Sequence, residues 1–219
     1  MEHNRDKIYE KTAQSGDLEY NNTENQNEIG ETAEEETGRS LFEWVQALVC
    51  AVLAVILVFV FGVRLISVDG TSMLPTLQDG DRLLVLSSLW CTPKDGDIVV
   101  LRKESFMEAP IVKRVIATGG QTVDINFETG EVSVDGAVLE EPYINEATLT
   151  AGDIQFPFTV SENCIFVMGD NRNGSTDSRW SWLGEVDESL IIGKALTVVI
   201  PGRSADTGKC ELSRIGAID

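Results

Sequence analysis

The pattern of apolar and polar positions changes twice along the 219 residues. Residues 1–40 show almost no apolar periodicity and are rich in Asn, Glu and Thr. Such a composition cannot bury enough surface to offset the entropy of ordering, so a disordered tail is expected. From Trp44 to Val63 runs a stretch of 20 residues without a charge, in which Gln46 is the one strongly polar member. At 1.5 Å rise per residue this length matches the hydrocarbon core of a bilayer, and it predicts one transmembrane helix over 44–63 with Trp44 as an interfacial anchor. A cleavable leader fits less well, because a long polar stretch precedes the run and no small-residue cleavage site follows it.

Beyond the run the period shortens to that of strands. Arg82–Leu86, Asp97–Leu101, Ile111–Ala117, Gln121–Ile125, Cys164–Met168 and Ile191–Ile200 are short β-rich segments divided by Gly, Asp and Asn clusters. Glu131–Val134 and Ala137–Leu139, separated by Asp135-Gly136, predict a hairpin, since Asp-Gly supplies the positive φ values of a type I′ turn. Glu140–Phe158 has little periodicity and is expected to be an irregular loop or small subdomain. The expected architecture is therefore mainly β, a domain of coiled antiparallel sheets over 64–219 preceded by one transmembrane helix.

Charge narrows the choice of partners. The formal net charge is −19, and both the tail and the remainder are acidic. Nucleic-acid binding, which needs a basic patch to displace counterions, is thereby disfavoured. Attachment to a membrane must come from apolar burial rather than a polybasic patch. Of four cysteines, Cys50 lies in the apolar run, leaving Cys91, Cys164 and Cys210. Three thiols allow at most one intrachain bridge, and their spacing fits no zinc pattern. Trp90, Trp180 and Trp182 have two readings, core packing or contact with a membrane interface.

Candidate chemistry centres on Gly70-Thr71-Ser72-Met73-Leu74-Pro75-Thr76 and Lys113-Arg114-Val115-Ile116. A serine hydroxyl needs a base to become a nucleophile, and the single histidine, His3, lies in the polar tail. A Ser-His-Asp triad is thus unavailable, whereas a lysine whose amine is kept neutral by burial can take the same part. Lys113 sits among Ile111, Val112, Val115 and Ile116, which suits that role. Each residue also has an ordinary reading, Ser72 as a turn residue and Lys113 as a strand lysine reaching for water.

These stretches, with Gly96-Asp97-Ile98-Val99 and with Gly169-Asp170-Asn171-Arg172 running on through Ser175, Asp177, Ser178 and Arg179, occur in an order that resembles type I signal peptidases of Gram-positive-like arrangement. The resemblance covers about residues 42–201. It implies a membrane-bound serine endopeptidase that removes signal peptides from exported pre-proteins, needing no metal or cofactor and acting as a monomer. It further implies a single-pass plasma-membrane protein with its catalytic domain on the extracytoplasmic side; the thin distribution of Arg39, Arg64 and Arg82 does not settle orientation by itself.

Carried over residue by residue, the resemblance makes Ser72 the nucleophile, Lys113 the base and Ser175 a hydrogen-bond partner that aims the lysine amine. Asp177 and Arg179 become a supporting ion pair. Arg114 is expected to pair with a carboxylate and to help keep Lys113 neutral. Ile66, Val68, Met73 and Val112 are expected to line a shallow apolar substrate pocket, with the hydrophobic core as their alternative. Where some relatives have a serine two residues before the nucleophile this chain has Gly70, so that side-chain donor is missing and the identity of a second oxyanion donor is left open. Ala117 and Gly119-Gly120-Gln121 also depart from the family pattern, which predicts an altered turn after an intact Ser-Lys pair. The rival readings are a specialised or self-cleaving relative, and a tethered scaffold that has lost catalysis; intact Ser72, Lys113, Ser175, Asp177 and Arg179 weigh against the scaffold.

Overall fold

The protein is described by a computed structural model that covers residues 42–204 and 207–218. The acidic tail expected over 1–40 lies outside the described residues.

The apolar run forms one helix, α1, over Phe42–Phe61. It is long and apolar enough to cross a membrane, and its side chains are exposed along its length. Its bounds fall two residues before the 44–63 expected from the charge-free run. Gly62 follows the helix and Val63 already belongs to the first strand, because a β-branched valine before alternating positions favours extended backbone.

The rest is an all-antiparallel β-domain. Its strands are β1 (Val63–Ser67), β2 (Arg82–Ser87), β3 (Ile98–Leu101), β4 (Ile111–Thr118), β5 (Thr122–Asn126), β6 (Glu131–Val134), β7 (Ala137–Val138), β8 (Phe158–Thr159), β9 (Cys164–Met168), β10 (Val186–Asp187), β11 (Ile191–Ile200) and β12 (Gly216–Ala217). The larger, curled sheet has the order β1-β2-β11-β3-β4-β9-β10, with β12 on β11; the smaller is β7-β6-β5-β8. The Asp135-Gly136 turn joins β6 to β7 with φ of 52° and 79°, as the I′ geometry requires. Residues 140–157 form no strand, in keeping with their lack of period.

Strand alternation sorts the core. Ile98 and Val100 of β3 enter one cluster with Leu83, Val85, Val112, Ala195 and Val198, whereas Val99 and Leu101 enter another with Val115, Ile165, Val167 and Leu183. The large sheet is thus covered on both faces, which is why its central strands read as unbroken apolar runs. A third cluster packs Ile116, Phe166 and Met168 against Val123, Ile125, Val132 and Val134 of the small sheet. A bulge between Val115 and Ala117 interrupts the ladder of β4 with β9 without changing its partner. In the following turn Gly120 has φ +86°, and a Cβ on Gly119 would lie 3.0–3.2 Å from the backbone of 161–163. Gln121 Oε1 closes the turn by accepting from Thr118 N–H at 2.6 Å.

All four cysteines are free thiols. Trp90 and Trp182 are exposed, Trp180 is half-buried against Trp182, and the Trp90 indole N–H donates to Phe61 O at 3.2 Å. Phe166 is fully buried, with the Phe156 and Phe158 rings 6.0 and 5.7 Å away. Phe166→Ala should destabilise the domain by about 3–5 kcal/mol, measurable as a lower denaturant midpoint, because the ring joins the two sheets.

Candidate active site

Ser72 lies on a looped segment between β1 and β2 that folds back on itself rather than crossing open surface. Val68 N–H donates to Asp81 O at 2.7 Å, Gly80 N–H to Val68 O at 2.9 Å, and Leu77 N–H to Met73 O at 2.9 Å. Apolar Met73 and Leu77 anchor the loop in the first core cluster. Asp81, fully buried, accepts from Gln78 N–H and from the Arg214 guanidinium, which also reaches Thr76 O. Gly70 adopts φ +92°, a conformation that a serine would take only under strain, and its N–H donates to Asp79 Oδ1 at 2.8 Å. Gly70 has no side-chain donor, and its backbone N–H is already engaged by Asp79, so neither serves an oxyanion.

Lys113 is on β4, paired with Val99 of β3, and is 4% exposed. Its Nζ lies 2.7 Å from Ser72 Oγ and 3.2 Å from Val112 O. Across 2.7 Å an ammonium donates to the hydroxyl and a neutral amine accepts from it. Burial pushes the Lys113 pKa down from 10.5 to about 8; Asp177 and Asp170 oppose that shift and Arg179 reinforces it.

Arg114 follows Lys113 on the strand and so points to the opposite face. Its Nε and Nη2 hold both oxygens of Asp170, at 2.9 and 2.8 Å, Nη1 donates to Gly96 O at 2.8 Å, and its guanidinium lies 3.8 Å from the Tyr143 ring centroid. The cation lowering the lysine pKa is Arg179, not Arg114 as expected. Alternation turns Arg114 away, while the Gly169–Arg179 segment curls round to the lysine side. Arg179 grips Asp177 with two bonds of 2.8 and 2.9 Å, both side chains fully buried, and also donates to Arg172 O and Thr150 O.

Ser175 departs from expectation in one respect. Its Oγ is buried without a hydrogen-bond partner among the described residues, and the bond to Lys113 is not made. Its nearness to the nucleophile loop depends on Gly169, where a Cβ would fall 2.3 Å from Ser175 Oγ and 2.4 Å from Ser72 O.

A groove of about 390 Å³ opens at the pair. Val68, Met73 and Val112 line it alongside Ser72 and Lys113; all three are also core residues, so pocket and core are two sides of the same packing. Ile66 is not in the wall and packs against the first core cluster instead. The opposite wall, from Phe106 and Met107 through Pro110, was not foreseen, since nothing in an isolated loop sequence reports what it folds against. Also missed were the individual parts of Asp170 and Asn171, which entered the sequence reading only as members of the Gly169–Arg172 motif. Asp170 accepts from Thr76 Oγ1 as well as Arg114, while Asn171 donates its N–H to Ser72 O and its Nδ2–H to Thr71 O, each at 3.1 Å.

A β-domain with a serine and a buried lysine in contact at a groove belongs to a class of arrangement known for Ser-Lys hydrolases. The profile of the family described as "Signal peptidase, peptidase S26" matches residues 41–200. The chain is 37% identical over 182 residues to a signal peptidase I of Bacillus licheniformis, covering 78% of this chain and 95% of the relative. It is 35% identical over 189 residues to signal peptidase I T of Bacillus subtilis, covering 82% and 95%. A solved signal peptidase I from Enterococcus faecalis aligns with 48% of this chain and 97% of its own, at 27% identity and a TM-score of 0.40. On the sequence matches, this chain belongs to the signal peptidase S26 family.

Because the folded-state pKa of Lys113 is lowered, the unfolded chain binds more protons between about pH 8 and 10.5, and stability rises with pH through that window. Lys113→Met should therefore be more stable than wild type at pH 7, by up to about 3 kcal/mol, with the advantage shrinking as pH passes from 8 to 10.5. Urea titrations of both proteins across that range check it; a variant less stable at pH 7 would contradict it.

Proposed function

We propose that the protein is a membrane-anchored serine endopeptidase that removes N-terminal signal peptides from exported pre-proteins. Ser72 is the nucleophile and Lys113 the general base. The observation that carries this reading is the 2.7 Å contact between Ser72 Oγ and a buried Lys113 amine whose pKa is pushed down to about 8. Neutral Lys113 takes the Ser72 proton as Oγ attacks the scissile carbonyl, and returns it to the leaving amine as the acyl-enzyme forms. Water then enters on the same base and releases the signal peptide. The Ser72 N–H stabilises the oxyanion. Asp177 and Arg179 hold the loop bearing Ser175, and Arg179 also biases the lysine toward its neutral form. Arg114 secures the strand through Asp170.

The relatives named signal peptidase I and the one long apolar helix among the described residues support membrane anchoring. The tail is read as cytoplasmic and the β-domain as extracytoplasmic at the plasma membrane, because that is where signal peptides emerge. The chain acts as a monomer, in keeping with reacting groups that all come from one chain, and the bilayer is its second partner. Val68, Met73 and Val112 receive the small side chains that precede the scissile bond in an extended substrate.

Cleavage of a purified pre-protein in liposomes tests the mechanism. Ser72→Ala and Lys113→Ala, both folded, should each lose at least about a thousandfold in kcat/KM. The wild-type kcat/KM should climb close to tenfold per pH unit from pH 6 and level off above about 8, since the deprotonated amine is the active form. A Lys113→Ala variant cleaving near the wild-type rate would remove the lysine from the mechanism.

Pocket size is tested separately. Val68→Ala should raise kcat/KM for substrates with a larger residue before the cleavage site by about tenfold, and unchanged selectivity across such a panel would exclude Val68 from the pocket.

A further inference from the structure

A second cleft also reaches the nucleophile loop. It is polar, encloses about 110 Å³, and is lined by Leu74, Asn145, Glu146, Asp170, Asn171 and Arg172. None of these residues lines the groove that contains Ser72 and Lys113. Yet the cleft starts at Leu74, two residues past Ser72, and its wall residue Asn171 is bonded to the Ser72 carbonyl. Asn145 and Glu146 belong as well to a third depression, about 330 Å³, which passes the β5–β6 turn at Thr129–Glu131 and the exposed Val138 of β7. Sharing these two residues sets the polar cleft and the outer depression side by side, along one line leading away from the nucleophile loop.

The path is built rather than left over between loops. The 140–150 loop is fastened to the hairpin by Thr148 N–H donating to Gly130 O at 3.2 Å. Gly130 has φ +79°, and a Cβ there would fall 2.4 Å from Ala147 Cβ, so the close approach depends on glycine. From the other side the Arg172 guanidinium holds the Glu141 carboxylate and the Thr148 hydroxyl. Asn173 accepts from the N–H groups of Leu149 and Thr150 and donates to Ala147 O and Glu146 Oε2.

An extended peptide cut at Ser72 has two ends to accommodate. On the peptidase reading given above, the signal-peptide side occupies the apolar groove, and the chain beyond the scissile bond must leave along some other surface. We propose that the first residues of the mature segment lie in this second path, and that Glu131 and Glu146 make it favour Lys or Arg and disfavour Asp or Glu there. Glu141 is neutralised by Arg172. Glu131 and Glu146 are exposed and accept hydrogen bonds only from Thr129 and Asn173, with no ion pair among the described residues. Their charge is thus presented to whatever occupies the path.

The test uses three pre-proteins with one signal peptide and cleavage site, differing only in whether the second to sixth mature residues carry lysines, glutamates or uncharged polar residues. At low ionic strength the full-length enzyme in liposomes should process the lysine form with a kcat/KM about three- to tenfold above the glutamate form, a ratio that falls with added salt. Glu131→Lys combined with Glu146→Lys should invert the ratio, while the uncharged substrate is processed within about twofold of wild type. A wild-type ratio near one, or a ratio that the double variant leaves unchanged, overturns the proposal while the uncharged substrate still reports an active peptidase. If the wild type processes none of the three, the peptidase reading itself falls and takes this inference with it.

Discussion

An amine that is to act as a base near neutral pH has to be kept away from water, and the protein must bear the cost of burying it. In this domain that cost falls on Lys113. Its stem lies among the apolar residues of β3 and β4, and its amine ends against a serine hydroxyl and one backbone carbonyl. Two carboxylates stand close enough to pull its pKa back up, and both are occupied, Asp177 by Arg179 and Asp170 by Arg114. Were the Arg179 guanidinium missing, the field at the amine would shift toward the ammonium form. The buried ion pairs thus bear on the state of the lysine as well as on the fold. A buried pair by itself adds little to stability, so electrostatic tuning is a better account of why so many charges are withdrawn from water here.

The two sheets explain how such a site can be assembled from distant residues. β4 belongs to the large sheet along its whole length, held by β3 on one side and β9 on the other, with a bulge between Val115 and Ala117. That places Lys113 on a strand with paired neighbours, whereas Ser72 is carried by a loop whose shape comes from its own backbone bonds and from Asp81. Gly169 supplies the space in which the third segment meets the other two.

Much of this was legible in the chain, for reasons that differ from part to part. The central strands announced themselves because both faces of the large sheet are buried, and the I′ hairpin because Asp-Gly has few other uses. The helix was placed two residues late, since a gap in charge marks where a span is tolerated and not where the backbone turns. β1 and the two-residue strands β8, β10 and β12 were missed because short edge segments carry too few side chains to display a period. At the site, Ser72 and Lys113 stood out through residue type and the elimination of histidine, whereas Asp177 and Arg179 were singled out only by the resemblance to the signal-peptidase motifs. Ile66 was misplaced because nearness in sequence to a motif does not decide which side of a strand faces a groove. The expected Ser175 bond and the expected influence of Arg114 both depended on side-chain direction, which only the folded backbone determines.

Asp170 has a further consequence for how the site withstands thermal motion. One of its oxygens accepts from Thr76, on the loop that bears Ser72, and its carboxylate also holds Arg114, next to Lys113; the neighbouring Asn171 grips the carbonyls on either side of the Ser72 amide. Loop and strand are therefore hung from the same dipeptide. A displacement of that dipeptide carries hydroxyl and amine in the same direction, so their separation varies less than the position of either one. Such common-mode suspension lets the rest of the domain breathe without detuning a contact that has to hold to a fraction of an ångström.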